Sequence, residues 1–330
     1  MSCALRTEGK GVQRMERVII GTRGSALALW QAHWVRDRLR ERYAELDVQV
    51  ETIVVPADTA PEVPIAQLGT KGVFTKTLED ALLQGRIDIA VHSLKDLASV
   101  LPPGLVLAAI PAREDPREAL LSGWAGGLAA LPHGARIGTS APRRRAQLLH
   151  LRPDVRLFDV RGNVDTRLRK LRDGQFDALL LAAAGLHRLG YHDAISAYLD
   201  PSVMLPAAGQ GALGIQTRAD DRYMRQLTAP LADPTTTACC VAERRVQEIL
   251  EGGCRAPMGA LATMRGHALV LRAMVASEDG AVLIGDAVSG PCDQAPALGE
   301  RLAARLVARG ALEILRMGNV GSGSQESYAG

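Results

Sequence analysis

The stretch Arg86 to Asp96, RIDIAVHSLKD, decides the fold. Ile87 to Val91, apolar but for Asp88, is a short run of the kind buried on both faces of a parallel sheet, and it runs out into His92, Ser93, Lys95 and Asp96. A helical pattern, Val73 to Gln84, precedes it, and an earlier strand, Val48 to Val55, precedes that. Open parallel sheets bind ligands just beyond the carboxyl ends of their strands. On that reading Lys95 and Asp96 deliver a base and an acid to one edge of a cleft. A plain polar strand exit, with Asp96 capping the next turn and Lys95 solvated, accounts for this stretch equally well.

Outward from this stretch the alternation repeats. Arg17 to Thr22 (RVIIGT) predicts a strand and Ala26 to Tyr43 the helix after it. The pattern restarts near Ala135 with a strand (ARIGT), a helix from Pro142, a strand over Val155 to Val160, a helix over Val164 to Leu171 and a strand over Asp177 to Leu181. Ile20-Gly21-Thr22 and Ile137-Gly138-Thr139 each close a strand and lead into a helix, whose N-terminal N–H groups favour anions. From about Thr235 the pattern changes to a helix, a glycine-rich loop (EGGCRAPMG), strands near Ala268 to Val275 and Ala281 to Ile284, and a last helix from Asp293. The expected class is α/β with mostly parallel sheets: residues 15–112 with 212–230 as a first domain, 116–206 as a second, and 234–317 as a smaller α+β third. Residues 318–330 have little to bury and are expected to be disordered.

Composition narrows the functional classes. With 330 residues, 47% apolar and 23% charged, the chain is an ordinary folded protein of more than one core. Its longest apolar run, Ala178 to Leu186, is far short of the roughly twenty residues a bilayer span needs, and no secretory apolar segment follows Met1, so a cytoplasmic protein without membrane partners is expected. Cys3, Cys239, Cys240, Cys254 and Cys292 are odd in number and lack metal spacing, so neither a disulfide framework nor a metal site is predicted.

The net charge is only +3, yet Arg143 to Arg172 holds nine arginines and one lysine against Asp154, Asp159 and Asp165. Such focusing suggests an anionic ligand. Arg143, Arg144 and Arg145 open a helix behind Ser140 and Pro142, where cations oppose the dipole, so helix stability does not explain them. Arg161 follows a strand and Arg167 lies in the first turns of the next helix, whereas Arg188 ends a short helix that its charge complements. Guanidinium forks suit carboxylates or phosphates. Only Phe158 is aromatic between Arg143 and Arg172, which leaves little to stack nucleic-acid bases. A small ligand with many carboxylates fits better. Cys254, between Gly253 and Arg255, is a candidate reactive thiol, while Cys239 and Cys240 sit in a helical stretch and look structural.

These segments resemble porphobilinogen deaminases across roughly Arg17 to Leu315. GTRGSALALWQA, GTKGVFTKTLEDALL, DIAVHSLKDL, AREDPREALL, IGTSAPRRRAQL, RGNVDTRLRKL, AAAGLHRLG, LPAAGQGALGI and EGGCRAPMG occur in the family's order. The resemblance implies two domains like type II periplasmic binding proteins that form a cleft, and a monomer that joins four porphobilinogen units, releasing ammonia, into hydroxymethylbilane. It implies a covalent dipyrromethane cofactor on Cys254 and a catalytic carboxylate at Asp96. Arg23, Ser25, Lys95, Ser140, Arg143, Arg144, Arg161 and Arg167 match cofactor-binding positions, and Arg23, Arg161, Arg167 and Arg188 match substrate-binding ones. The chain departs from the family at Val55-Pro56-Ala57-Asp58, at Gln67 and at Ala141-Pro142. The rival reading is a non-catalytic small-anion binding protein of the same architecture.

Overall fold

The computed structural model describes residues 17–55, 75–250 and 256–320, with no account of the side chains of 318–320. The first sheet takes β1 (Arg17–Thr22), β2 (Asp47–Thr52), β3 (Ile89–Ser93) and β4 (Leu105–Ala109), with helices α1 (Ala26–Arg42) and α2 (Lys76–Leu83) between them. The chain then crosses into a second sheet: β5 (Glu118–Ser122), β6 (Arg136–Gly138), α3 (Pro142–Leu151), β7 (Arg156–Phe158), α4 (Val164–Arg172), β8 (Ala178–Ala182), α5 (Ala183–Arg188) and β9 (Ala197–Leu199). It returns to the first sheet as β10 (Leu213–Arg218), followed by α6 (Arg222–Thr228). The last part is α7 (Pro234–Ile249), β11 (Met258–Arg265), β12 (Ala268–Ala276), β13 (Leu283–Pro291), α8 (Ala295–Ala308) and α9 (Ala311–Val320).

The five-stranded sheets have the orders β2-β1-β3-β10-β4 and β7-β6-β8-β5-β9. In each, the three strands at one end are parallel and the strand arriving from the crossing, β10 or β5, is antiparallel to both neighbours. Both sheets are therefore mixed, where sequence suggested mostly parallel ones. β4, β5, β9, β10 and β11 have no counterpart in the sequence reading. They are short, or, like β5 and β10, buried along nearly their whole length, so no alternation marks them.

The internal echo is deeper than three residues. β1 and β6 take equivalent places, and Gly21 and Gly138 each leave room for a side chain from the approach to the next strand. A Cβ on Gly21 would collide with Ile87; on Gly138 it would fall 2.6 Å from Leu179 Cδ2 and 3.2 Å from the Phe176 ring. Asp88 and Asp177 tie the strands the same way. Each carboxylate accepts from a backbone N–H of the neighbouring strand, Ile19 at 2.9 Å and Arg136 at 2.7 Å, and the aspartate's own backbone N–H donates back to the carbonyl of Ile19 or Arg136. Gly85 and Gly174, with φ of 68° and 70°, turn the chain three residues before them.

The third domain is an antiparallel β11-β12-β13 sheet with α7 and α8 packed on it through Val246, Leu271, Leu298, Leu302 and Leu306. Two consecutive residues of α7 fasten it to the rest. Arg244 donates to the carbonyls of Leu97 and Ser99 at 3.0 and 3.1 Å. Glu243, wholly buried, accepts from Arg113 Nη1 at 2.6 Å, Gly209 N at 2.7 Å and Ala262 N at 2.8 Å. Helix α9 continues to Val320, three residues past the Met317 boundary set from composition.

Gly21→Ala and Gly138→Ala should each lower stability by about 1–3 kcal/mol, the usual range for overpacking a tight core. Gly123→Ala, where a Cβ meets nothing within 4 Å, serves as the neutral control. Thermal melts of the three variants check this, and equal melting for all three would refute the packing account.

Candidate active site

The β3 strand, IAVHS, ends in a short 3-10 turn, Leu94–Asp96. Leu94 is fully buried and packs where Gly209 lacks a side chain, since a Cβ there would lie 2.9 Å from Leu94 Cγ. That anchor leaves Lys95 and Asp96 at a cavity of about 130 Å³, which Ala141 to Arg144, Gln210, Gln247 and Met258 also line. All three domains contribute to this wall. Asp96 is its single carboxylate among the described residues.

Arg143 and Arg144 reach the cavity from α3, but their guanidinium groups are not simply waiting for a ligand. Arg143 Nη2 donates to Glu118 Oε1 at 2.6 Å, and Arg144 Nε donates to Glu118 Oε2 at 2.8 Å. Arg143 and Arg144 also donate to the carbonyls of Leu205 and Leu180. Glu118 is wholly buried; burial alone would raise its carboxyl, but Arg144, Arg143 and Lys95 together hold it down at about 2. Burial lowers the Lys95 ammonium, with Asp96 acting against the shift. The arginines that oppose the α3 dipole therefore have a structural partner, one that sequence reasoning missed. Its signal lay in AREDPREALL, an acid directly before the apolar run Ala119 to Leu121.

The other predicted residues fall around this centre. Burial lowers the Arg167 guanidinium to about 10, Arg144 adding repulsion and Asp96 attraction, so Arg167 shares the field of the same cleft. Its Nε also donates to Gly162 O at 2.8 Å. Ser25 caps α1, accepting from Ala28 N at 3.3 Å, and Arg23 and Arg161 are half-buried near the carboxyl ends of β1 and β7. Ser140 ties its loop to Val160, donating to the carbonyl at 2.8 Å and accepting from the N–H at 2.9 Å. It lines a second, more open cavity with Arg145 and Phe158 rather than the Asp96 wall.

Arg188 is set apart. Its Nη2 donates to Gly211 O at 2.7 Å, the guanidinium lies 5.7 Å from the Trp30 ring, and it is absent from the Asp96 wall. Burial lowers it to about 10, opposed by Glu114. Cys254 lies outside the described residues, as does most of the Val55 to Asp58 departure and Gln67. Cys239 and Cys240 are buried, and burial pushes both thiols up, Cys239 to about 11, which suits a structural role. Beneath the site, His92 is held down to about 4 by burial while Nε2 contacts Gln216 Oε1 at 3.0 Å. Among the described residues no helix is long and apolar enough to cross a membrane.

Comparison with known proteins gives a consistent result. Residues 18–226 match the family model described as porphobilinogen deaminase, dipyromethane cofactor binding domain, and residues 237–308 match the C-terminal domain of the same family. A porphobilinogen deaminase of Syntrophotalea carbinolica is 50% identical over 296 residues, covering 90% of this chain and 94% of that one. One from Roseiflexus castenholzii is 48% identical over 296 residues, covering 90% and 97%. Among solved structures, a periplasmic substrate-binding protein of an ABC transporter from Coxiella burnetii aligns with a TM-score of 0.41 at 15% identity, covering 69% of this chain and 96% of that one. This last likeness is remote, and the fold rests on the strand order above.

Glu118→Gln should cost about 3–5 kcal/mol at neutral pH, because two buried guanidinium groups lose their counter-charge. The Glu118 carboxyl is held below its ordinary 4.5, so its contribution is complete above that value and fades as pH falls toward about 2. Melting curves should show the gap between wild type and Glu118→Gln narrowing across that window. A gap independent of pH would contradict the assignment.

Proposed function

The chain belongs to the porphobilinogen deaminase family, and we propose on that footing how its residues divide the work. The activity is that of a transferase in tetrapyrrole biosynthesis, acting with a dipyrromethane cofactor. The observation that carries the residue assignment is the cavity where Asp96 is, among the described residues, the single carboxylate beside Lys95, Arg143 and Arg144. Its chemistry fits the cofactor: cations for acetate and propionate groups, and an acceptor for pyrrole N–H. When bound, the dipyrromethane supplies the free pyrrole α-carbon to which the first porphobilinogen joins.

In this reading Cys254 holds the cofactor through a thioether. Lys95, Arg143 and Arg144 set the positive potential for its carboxylates, with Arg23, Ser25, Ser140, Arg161 and Arg167 around the cleft. Arg23, Arg161 and Arg167 take the carboxylates of incoming units together with Arg188, which stands at the end of α5. Each unit brings two carboxylates, so a growing product requires cations spread along a cleft.

Porphobilinogen loses ammonia when its aminomethyl C–N bond breaks with the electron pair going to nitrogen. The pyrrole nitrogen releases electrons to the carbon left behind and becomes positive. Asp96 accepts the hydrogen bond of that N–H and stabilises the developing charge, the preorganised electrostatics that dominate many active sites. After the new carbon–carbon bond forms, the displaced ring proton passes to Asp96 or solvent. Porphobilinogen is the small-molecule partner in this reading, with a cytoplasmic monomer as the working form and no nucleic-acid or membrane partner.

Asp96→Asn should keep the fold and the bound cofactor while turnover falls about 10²–10³-fold, the range seen when one transition-state electrostatic contact is removed. Porphobilinogen consumption measured beside intact mass tests this; near wild-type turnover would remove Asp96 from the mechanism. Intact mass of denatured wild type should show an adduct that digestion maps to Cys254. Cys254→Ser should lack it and be inactive, since a hydroxyl is far less nucleophilic than a thiolate, whereas Cys239→Ser and Cys240→Ser should retain it.

A further inference from the structure

Gln247 lies on the same face of α7 as Glu243 and Arg244, one turn further on. Those two residues settle where this face points. Glu243 accepts from Gly209 N at 2.7 Å, and Arg244 Nη1 donates to the carbonyl of Leu97, the residue after Asp96, at 3.0 Å. Gln247 itself is only 9% exposed and lines the cavity that holds Lys95 and Asp96. Among the described residues its side-chain amide makes no hydrogen bond, and the unpartnered polar atoms that are sealed from solvent belong to Thr75 and Gln210 instead. The Gln247 amide is therefore both unpartnered and open.

A largely buried polar side chain without a partner points to a missing one. Chemistry narrows what is missing. Carboxylates already have Lys95, Arg143 and Arg144 in this wall, so a neutral amide, with one acceptor and one donor group, suits a neutral molecule that both donates and accepts. Water meets that description, and a polar cavity of about 130 Å³ is several times what one water needs. The family's reaction consumes one. Hydroxymethylbilane ends in a hydroxymethyl group where the chain was joined to the cofactor, so a water must reach that link once the fourth unit is in place. Cys254, which carries the cofactor in the reading above, follows Gln247 by seven positions.

We propose that Gln247 positions the water that cuts the finished chain from its cofactor. The inference rests on the function proposed above. The water donates one hydrogen to the Gln247 amide oxygen and the other to the Asp96 carboxylate, which leaves an oxygen lone pair for the carbon. The bond that breaks joins the methylene carbon of the first added unit to the terminal ring carbon of the cofactor. Its electron pair stays with that ring carbon, which gains a proton; the methylene carbon gains the hydroxyl, and the remaining proton of the water leaves through Asp96 to solvent. The sum is the addition of one water. An amide is not protonated near neutral pH, so Gln247 orients the water without taking its proton, the role a glutamine has toward the attacking water in GTP hydrolysis. Each chain extension uses a carbon nucleophile and no water, so Gln247 acts at release and not during elongation.

The test mixes protein loaded with its cofactor in cells with porphobilinogen, quenches it at intervals and weighs it intact. In Gln247→Leu, similar in size and unable to hydrogen-bond, the four additions should keep wild-type rates. Release should slow about tenfold, the scale of one lost hydrogen bond, so that protein carrying four added units accumulates. Hydroxylamine, a stronger nucleophile that needs no such positioning, should then take a larger share of the released chains than it takes from wild type. Unchanged release, an unchanged hydroxylamine share, or additions slowed as much as release would overturn the proposal; the last is what a purely structural role predicts. Should the variant fail to fold or to load, a crystal structure of loaded wild type decides. A water within about 3.2 Å of both Gln247 Oε1 and an Asp96 oxygen supports the proposal, and a cofactor carboxylate or a protein group in that place overturns it. A normal ladder on Cys254 with unchanged release defeats this inference alone, whereas absence of any adduct on Cys254 defeats the reading beneath it.

Discussion

A single carboxylate shut away from water organises the cleft. Glu118 has no exposed surface and holds Arg143, Arg144 and Gln210 through hydrogen bonds of 2.6, 2.8 and 3.0 Å. An isolated charge in that position would be prohibitive, and two guanidinium groups make it tenable. Two cations against one anion leave a net positive charge at the cavity wall. The same cluster that allows burial thus creates the potential a polyanionic ligand needs, and it holds both arginines near fixed positions before any ligand arrives. Preorganisation of this kind lowers the cost of binding.

The internal repeat accounts for the placement of that charge. Each five-stranded sheet brings the carboxyl ends of its parallel strands to the cleft, one carrying Lys95 and Asp96 and the other the arginine-rich turns. The two halves differ where their helices begin. Ser25 caps α1 with its hydroxyl, while the equivalent start of α3 has Ala141 followed by Pro142 and no side-chain cap. Proline removes one of the unsatisfied N–H groups, and others remain for a ligand or solvent.

The sequence made much of this legible, and its failures have physical causes. RIDIAVHSLKD marked a buried strand and the residues it presents, because a run that is apolar but for Asp88 and is followed by polar residues has few other meanings. The arginine concentration led to Arg143 and Arg144, which line the cavity, but it could not show that they share a buried acid from a strand 25 and 26 residues earlier. Long-range pairing of this sort leaves no periodic trace. Gln210 was invisible for a related reason: LPAAGQGALGI shows a flexible segment, whereas the value of its amide depends on two carbonyl and carboxylate partners brought from another part of the chain. β5 and β10, buried on both sides, were hidden by the same lack of alternation that makes them suitable central strands.

Glu243 has a mechanical consequence. It binds Arg113 and Gly209, which belong to the two segments crossing between the sheets, and Ala262, which belongs to the third domain's own sheet. Sliding the third domain over the crossing would strand a charge away from water and break several bonds at once, a penalty on the order of 3–5 kcal/mol for a buried pair. The third domain and the crossing therefore travel as one stiff body.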